Sequence, residues 1–162
     1  MTARSRRAGP DRSARRRARE LATQVLCSLD IWPDQDVGVA LDLFLGEGGM
    51  AAEEPEAARA RCRELVEGAW AARAELDGLL LRIVTGWRPE RMLSSDRAAL
   101  RLALYEGFIR RDLPIKASIS EAMAVAERFG EDGSARFVNG VLARAVRHMF
   151  PEGTGEEAPE AR

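Results

Sequence analysis

Residues 13–29 decide the fold, and they read Ser13-Ala-Arg-Arg-Arg-Ala-Arg-Glu-Leu-Ala-Thr-Gln-Val-Leu-Cys-Ser-Leu29. Apolar side chains recur in this stretch at three- and four-residue spacing, which predicts an amphipathic helix with one face against a core. These side chains belong to Ala18, Leu21, Ala22, Val25, Leu26 and Leu29. Because serine is a common helix cap, we expect the helix to begin at Ser13.

Six further segments show the same periodicity, separated by Pro, Gly, Asp and Ser residues. The predicted helices cover residues 13–29, 37–45, 55–70, 74–85, 95–108, 115–129 and 134–149. A composition rich in Ala, Leu, Arg and Glu also favours helices over strands. We therefore predict an all-α protein, a compact bundle of about seven helices. The domain organisation is a flexible basic arm (1–12), one all-helical domain (13–150) and a disordered acidic tail (151–162).

Charge is distributed unevenly along the chain. The first twenty residues hold eight arginines and two acids, a net charge of +6, whereas the whole chain carries −1. A basic segment on an acidic body suggests a polyanionic partner. Arginine binds phosphate through parallel N–H donors and stacks on bases, so nucleic acid fits this segment. For residues 1–12 a solubilising tail is the alternative, but from Arg15 onward the arginines lie on a predicted helix.

The sequence shows no recognisable arrangement of residues for catalysis or metal binding. His148 is the only histidine, and we expect it to interact with the carboxyl end of the last helix. No Cys, His and Asp residues share a metal-ligand spacing, and no Ser-His-Asp set can be assembled. The glycine-rich segment 46–54 lacks the Lys-Ser/Thr ending of a phosphate-binding loop. We predict a binding protein with no cofactor and no metal rather than an enzyme.

The cellular compartment is expected to be the cytoplasm. No apolar run approaches the length of a membrane span, and no secretory signal opens the chain. Cys27 and Cys62 lie inside helical patterns, so we expect reduced core thiols rather than a disulfide.

Two other stretches stand out. Residues 113–122 place a proline, the only lysine and two serines at the start of a helix, and ordinary helix initiation explains them. Residues 134–142, Ser-Ala-Arg-Phe-Val-Asn-Gly-Val-Leu, begin with Ser134, the predicted cap of the last helix, and contain a glycine inside that helix. Because Gly140 costs about 1 kcal/mol relative to alanine there, we expect another backbone to approach it closely. Helix N-termini also offer unpaired N–H groups to phosphates.

Four blocks resemble the NusB family of bacterial transcription antitermination factors. They are Ala14-Arg-Arg-Arg-Ala-Arg-Glu-Leu-Ala-Thr-Gln-Val-Leu26, Leu100-Arg-Leu-Ala-Leu-Tyr-Glu106, Leu113-Pro-Ile-Lys116 with Glu121-Ala122, and Arg136-Phe-Val-Asn-Gly-Val-Leu142. Their order and spacing also match, and the resemblance covers residues 14–148. It implies two packed three-helix sub-bundles that share a connecting helix.

The resemblance implies a role in transcription without catalysis. Family members pair with NusE, a small-subunit ribosomal protein, and the pair binds boxA, a single-stranded element of nascent ribosomal RNA, to suppress premature termination. Other Nus factors and RNA polymerase take part indirectly, and no membrane is involved. RNA held in this way stays near polymerase, which raises the effective concentration of later contacts. Whether the chain is a monomer or a homodimer is left open.

Residues on two surfaces are assigned by the same resemblance. The RNA-binding residues are Arg15, Arg16, Arg17, Arg19, Gln24, Ser134, Arg136 and Phe137. The NusE interface comprises Tyr105, Glu106, Pro114, Lys116 and Glu121. For Phe137 a position in the core is an equal alternative.

The chain departs from the family pattern at four places. Cys27 stands where many members have an aromatic residue, and Gly133 where an acid is usual, so both bear on RNA binding. Gly107 replaces a leucine, and Ala117-Ser-Ile-Ser120 replaces Val-Ala-Ile-Asn, so both bear on the partner surface.

Two rival functions are considered. A helical adaptor that no longer binds RNA is compatible with Cys27 in place of an aromatic residue. A NusB-like domain also precedes a ribosomal RNA cytosine methyltransferase, but that enzyme needs a large α/β domain where we expect the acidic tail.

Overall fold

The computed structural model describes residues 10–151, which form seven α-helices and no strand. The helices are α1 (Pro10–Ile31), α2 (Val37–Leu45), α3 (Glu56–Ala71), α4 (Arg73–Ile83), α5 (Ser94–Leu104), α6 (Ile115–Phe129) and α7 (Ser134–Met149). A 3₁₀ turn covers Pro89–Arg91, and a π-helical turn, Tyr105–Ile109, follows α5 directly. The predicted all-α class and helix number are confirmed. Predictions for residues 1–9 and 152–162 lie outside the described residues.

The two predicted serine caps are wrong. The first helix begins at Pro10, so Ser13 lies inside it and residues 10–12 of the predicted arm are helical. Proline suits a first turn because its fixed φ is helical and its missing N–H would have no partner there. At the start of α7 the cap position belongs to Gly133, whose φ of 90° is left-handed, and Ser134 is the first helical residue.

The helices form two groups. The first group is α1, α2 and α3, and the second is α5, α6 and α7, with α4 packed on α5 and α7. Helix α1 packs on both α3 and α5 and so joins the two groups. Its apolar stripe is buried as predicted, together with leucines from the other helices, including Leu65, Leu80, Leu100, Leu104 and Leu142.

The π-helical turn redirects the chain at the end of α5. The Arg110 N–H donates to the Tyr105 carbonyl over 2.8 Å, and the Asp112 N–H donates to the Glu106 carbonyl over 3.0 Å. The wider turn buries the side chains of Tyr105 and Glu106. Sequence periodicity predicted a regular helix here, because a π turn depends on tertiary contacts rather than on local pattern.

Tyr105 packs against Gly68 of α3, the helix on the other side of this junction. A Cβ atom added at Gly68 would overlap the Tyr105 hydroxyl and ring. Tyr105 is buried, so its ring has little room to retreat. Glycine at position 68 is therefore required by the packing of the two helix groups.

We expect Gly68→Ala to lower the free energy of unfolding by about 1–2 kcal/mol, since overpacking outweighs the better helix propensity of alanine. Urea unfolding followed by circular dichroism measures the change. Gly78→Ala in α4 is the matched control, because its Cβ meets no atom within 4 Å, and it should stabilise the chain. Equal stabilisation by both substitutions would contradict this account.

Candidate nucleic-acid interface

The amino-terminal turns of α1 present arginines to solvent. Arg12, Arg15 and Arg16 are exposed, and Arg16 forms no ion pair with any residue in the range 10–151. Arg17 is partly buried and donates from Nε to Glu54 Oε1 over 2.9 Å and from Nη1 to Glu20 Oε2 over 2.8 Å. The hydrogen bond to Glu54 raises the pKa of the Arg17 guanidinium above its ordinary value. Arg16 is thus available to an anion, whereas Arg17 would have to exchange partners.

Arg19 and Glu106 are internal, contrary to their assignment to the RNA and NusE surfaces. Their exposed fractions are 5% and 1%. The guanidinium donates from Nε to Glu106 Oε2 over 2.8 Å and from Nη2 to Oε1 over 3.0 Å. Because both charged groups are buried away from water, each depends on the other for its hydrogen bonds and for a compensating charge. We remove both residues from the candidate interface.

Further charged groups surround this pair. Glu121 Oε2 lies 3.5 Å from Arg19 Nη1, and Arg61 of α3 reaches Glu106 over 3.2 Å and Asp112 over 2.7 Å. The five residues Arg19, Arg61, Glu106, Asp112 and Glu121 are called the Arg19 network below. It joins α1, α3, α6 and the segment after α5.

The predicted partner surface is reduced to its exposed members. Pro114 and Lys116 are exposed, and Glu121 is partly exposed. Tyr105 is buried against α3, so we remove it from the candidate interface as well.

Two of the departures from the family pattern face each other inside the chain. A Cβ at Gly107 would lie 3.0 Å from Ser118 Oγ, and that hydroxyl donates to the Ala103 carbonyl over 2.7 Å. Both residues are buried. The substitutions therefore adjust packing between the π turn and α6 rather than the partner surface.

Ser134 is likewise internal. It is 4% exposed; its hydroxyl donates to Asp96 Oδ2 over 3.1 Å and accepts from the Glu131 N–H over 3.0 Å. Burial raises the pKa of Asp96, and the Ser134 hydrogen bond opposes that shift. Ser134 thus joins the start of α7 to α5, and we remove it from the RNA contacts.

Arg136 and Phe137 lie at the surface in the first turn of α7. Phe137 is 40% exposed, which decides against a position in the core. Arg136 is exposed and, within the described residues, has no ion pair. An exposed ring next to an unpaired guanidinium can take a base and its phosphate.

The α1 and α7 surfaces are connected through the end of α6. Arg128 Nε lies 3.7 Å from Glu20 Oε1, and α6 ends one residue later, at Phe129, before the turn into α7. One turn further along α1 than Glu20, Gln24 lines an open groove of about 370 Å³ with Leu43, Phe44 and Met50. A base edge could reach the Gln24 amide in this groove.

Sequence patterns gave no sign of a second buried cation, Arg101. It is 5% exposed and donates to Asp30 of α1 and to both oxygens of Asp77 of α4, over 2.8–2.9 Å. The sequence around Arg101 does not distinguish it from an exposed arginine, because the carboxylates that pair with it lie on other helices.

Between residues 10 and 151 no three His, Cys, Asp or Glu side chains gather where they could hold a metal ion. The helices of this range also lack the combination of length and apolar character that a bilayer crossing requires. Cys27 and Cys62 are free thiols, as predicted.

Comparison with known proteins decides the family. The model of the NusB family matches residues 16–147. The chain belongs to the NusB family. A "Transcription antitermination protein NusB" from Symbiobacterium thermophilum is 41% identical over 148 residues, which cover 90% of this chain and 97% of that protein.

Solved structures agree. The T. maritima NusB structure is 31% identical, covers 90% of this chain and 93% of its own, and superposes with a TM-score of 0.71. A structure of antitermination factors NusB and NusE in complex with dsRNA has a TM-score of 0.72 at 20% identity, covering 84% and 98% of the two chains, and shows the shared fold. Membership in this family confirms a transcription antitermination protein rather than an enzyme.

We expect Arg19→Ala to destabilise the chain by about 3–5 kcal/mol, since Glu106 would keep a buried charge without its partner. Arg16→Ala, three residues earlier and exposed, should change stability by no more than about 0.5 kcal/mol. Urea unfolding of both variants provides the comparison. If Arg19→Ala unfolds like the wild type, the pair is not structural, and Arg19 returns to the candidate RNA contacts.

Cys27 yields a pH prediction. Burial and the nearby Asp30 carboxylate raise the pKa of this thiol to about 11, and burial raises that of Cys62 to about 12. Iodoacetamide reacts with the thiolate form of cysteine, and a raised pKa leaves less thiolate at a given pH. At pH 8 the folded protein should therefore be alkylated at least about tenfold more slowly than the protein unfolded in urea. The rate should climb towards pH 10. Peptide mass spectrometry separates the two cysteines, and equal rates with and without urea would contradict the burial of Cys27.

Proposed function

We propose that the chain pairs with NusE and binds boxA single-stranded RNA in nascent ribosomal transcripts, suppressing premature termination in the cytoplasm. The observation that carries the RNA contact is the state of two arginines. Arg16 of α1 and Arg136 of α7 are exposed and have no ion pair among the described residues, whereas Arg17, Arg19 and Arg61 are paired.

In this proposal the exposed side chains contact different parts of the RNA. Arg16 and Arg136, assisted by Arg15, hold phosphates, because arginine donates two parallel N–H groups to a phosphate. Phe137 stacks on an unpaired base, and Gln24 reads a base edge, since single-stranded RNA offers both faces and edges. Arg17 also binds a phosphate once Glu54 and Glu20 no longer pair with it.

The proposed NusE surface is the exposed start of α6, represented by Pro114, Lys116 and Glu121. The pairing itself, though not its location, is supported by the related solved complex, which holds NusB and NusE with dsRNA. Glu121 also touches Arg19 inside the chain, so a partner bound at Glu121 adjoins the Arg19 network. Other Nus factors and RNA polymerase then act on RNA that the pair keeps nearby, which is an effect of effective concentration.

A titration with fluorescent boxA RNA and a scrambled control, with and without NusE and at two salt concentrations, tests the proposal. Selective binding that NusE strengthens is the expected result, and affinity should fall with salt as counterions are released. Binding of NusE without preference for either RNA would contradict RNA reading and favour the adaptor function. Light scattering on the same samples distinguishes a monomer from a homodimer.

Within that titration, Arg16→Gln should weaken boxA binding and reduce the salt slope by about 0.7, the loss of one phosphate contact on a single strand. Arg63→Gln is the matched control, because this arginine on α3 is paired with Asp42 over 2.6 Å. An unchanged slope for Arg16→Gln would refute its role as a phosphate ligand.

A further inference from the structure

Helix α7 differs from the other six α-helices in its charge. It contains Arg136, Arg144, Arg147 and His148 and no acidic residue, in a chain whose net charge is −1. Each of the other six helices carries at least one acid. The proposed RNA contacts reach only the first turn of α7, so most of this charge is unexplained by them.

The three arginines share the outer side of the helix. At about 100° per residue, Arg136 and Arg147 lie within about 20° of each other, and Arg144 lies beside them. All three are exposed, while the opposite side buries Val138, Leu142 and Ala145. The row is about 16 Å long, at 1.5 Å of rise per residue.

None of the three arginines forms an ion pair within residues 10–151. Helix stability does not account for the row either. Cations favour the last turn of a helix, which suits Arg147, but Arg136 stands in the first turn, where the helix dipole disfavours a positive charge. Arg144 and Arg147, three residues apart on one face, repel each other weakly, and an external anion would relieve that repulsion.

Gly140 lies in the same row, between Arg136 and Arg144. It is exposed, and a Cβ there would meet no atom within 4 Å. Packing inside the chain thus does not require glycine, although glycine weakens a helix interior. Its effect is to leave a gap in which the helix backbone is open to a ligand between two guanidinium groups.

We propose that Arg136, Gly140, Arg144 and Arg147, called the α7 row, form a track for the sugar-phosphate backbone of single-stranded RNA. The inference rests on the proposed RNA binding and extends it. The strand leaves the boxA contacts at Arg136 and Phe137 and continues along α7, with its phosphates on Arg144 and Arg147 and its backbone against Gly140. Contact with phosphates alone carries no sequence information, so the row binds flanking RNA of any sequence.

The test compares a minimal boxA oligonucleotide with the same oligonucleotide extended by ten uridines at either end. The wild type should bind an extended RNA on the order of tenfold more tightly, with a steeper salt slope. In Arg144→Gln/Arg147→Gln that gain should disappear, and the slope on extended RNA should fall by about 1.4, for two phosphates at 0.7 each. Binding of the minimal oligonucleotide should not change.

Arg82→Gln/Arg88→Gln is the matched control, because it removes the same charge from two exposed arginines, at and just after the end of α4, that form no ion pair within residues 10–151. It should retain the gain from extension. Thermal unfolding of both double variants, followed by circular dichroism, reports any damage to the fold.

Gly140→Gln provides a second test that leaves the charge unchanged. It should raise the thermal midpoint, because glutamine is the better helix former, and yet remove most of the gain from extension by filling the gap. Gly78→Gln on α4, also at a site with open space, should leave the gain intact.

No gain from extension in the wild type, or a gain that survives in Arg144→Gln/Arg147→Gln, would overturn the α7 row while boxA binding still stands. Failure to bind the minimal oligonucleotide would overturn the proposed RNA contacts themselves, and failure to bind any of these RNAs would overturn both.

Discussion

The buried ion pair between Arg19 and Glu106 is the constraint on which the arrangement of the helices depends. Two charges removed from water are tolerable only if they are held at hydrogen-bond distance with good geometry. Because one partner lies on α1 and the other on the π turn after α5, this requirement fixes the two segments against each other. Arg61, Asp112 and Glu121 extend the same requirement to α3 and α6.

Helix α1 is therefore anchored by charge at both ends of its buried face. Arg19 is the anchor near the amino end, and Asp30, which accepts from Arg97 and Arg101 of α5, is the anchor near the carboxyl end. Between them the contacts are apolar, from Leu21 to Leu29. The same helix presents Arg16 to solvent, so the surface proposed for RNA is carried by the most firmly held element of the fold.

Much of the fold could be predicted from the sequence, because apolar periodicity reports the buried face of a helix directly. All seven helices were found in this way. Their ends were predicted less well: Pro10 rather than Ser13 begins α1, and Gly133 rather than Ser134 occupies the cap position before α7. Composition gave the helical class but carried no information on which arginines are buried.

The candidate site was predicted only in part, for a physical reason. Arg15 to Arg19 looked like one basic set, yet Arg19 lies three residues before Ala22 and seven before Leu26, on the buried face of α1. That spacing was a usable signal for its burial. No such signal existed for Glu106, whose inward position depends on a π turn, nor for Ser134, whose partner Asp96 is on another helix.

The π turn also limits how the chain can evolve. A π turn holds one more residue than the α-helical turn that it replaces. Loss of a single residue between Tyr105 and Ile109 would close this wide turn to an α-helical one, and the geometry that buries Tyr105 and places Glu106 against Arg19 would be lost. Side chains in this segment, such as Gly107 opposite Ser118, can be exchanged in compensating pairs, but its length cannot change. Alignments of related chains should therefore show substitutions in this segment and no gaps.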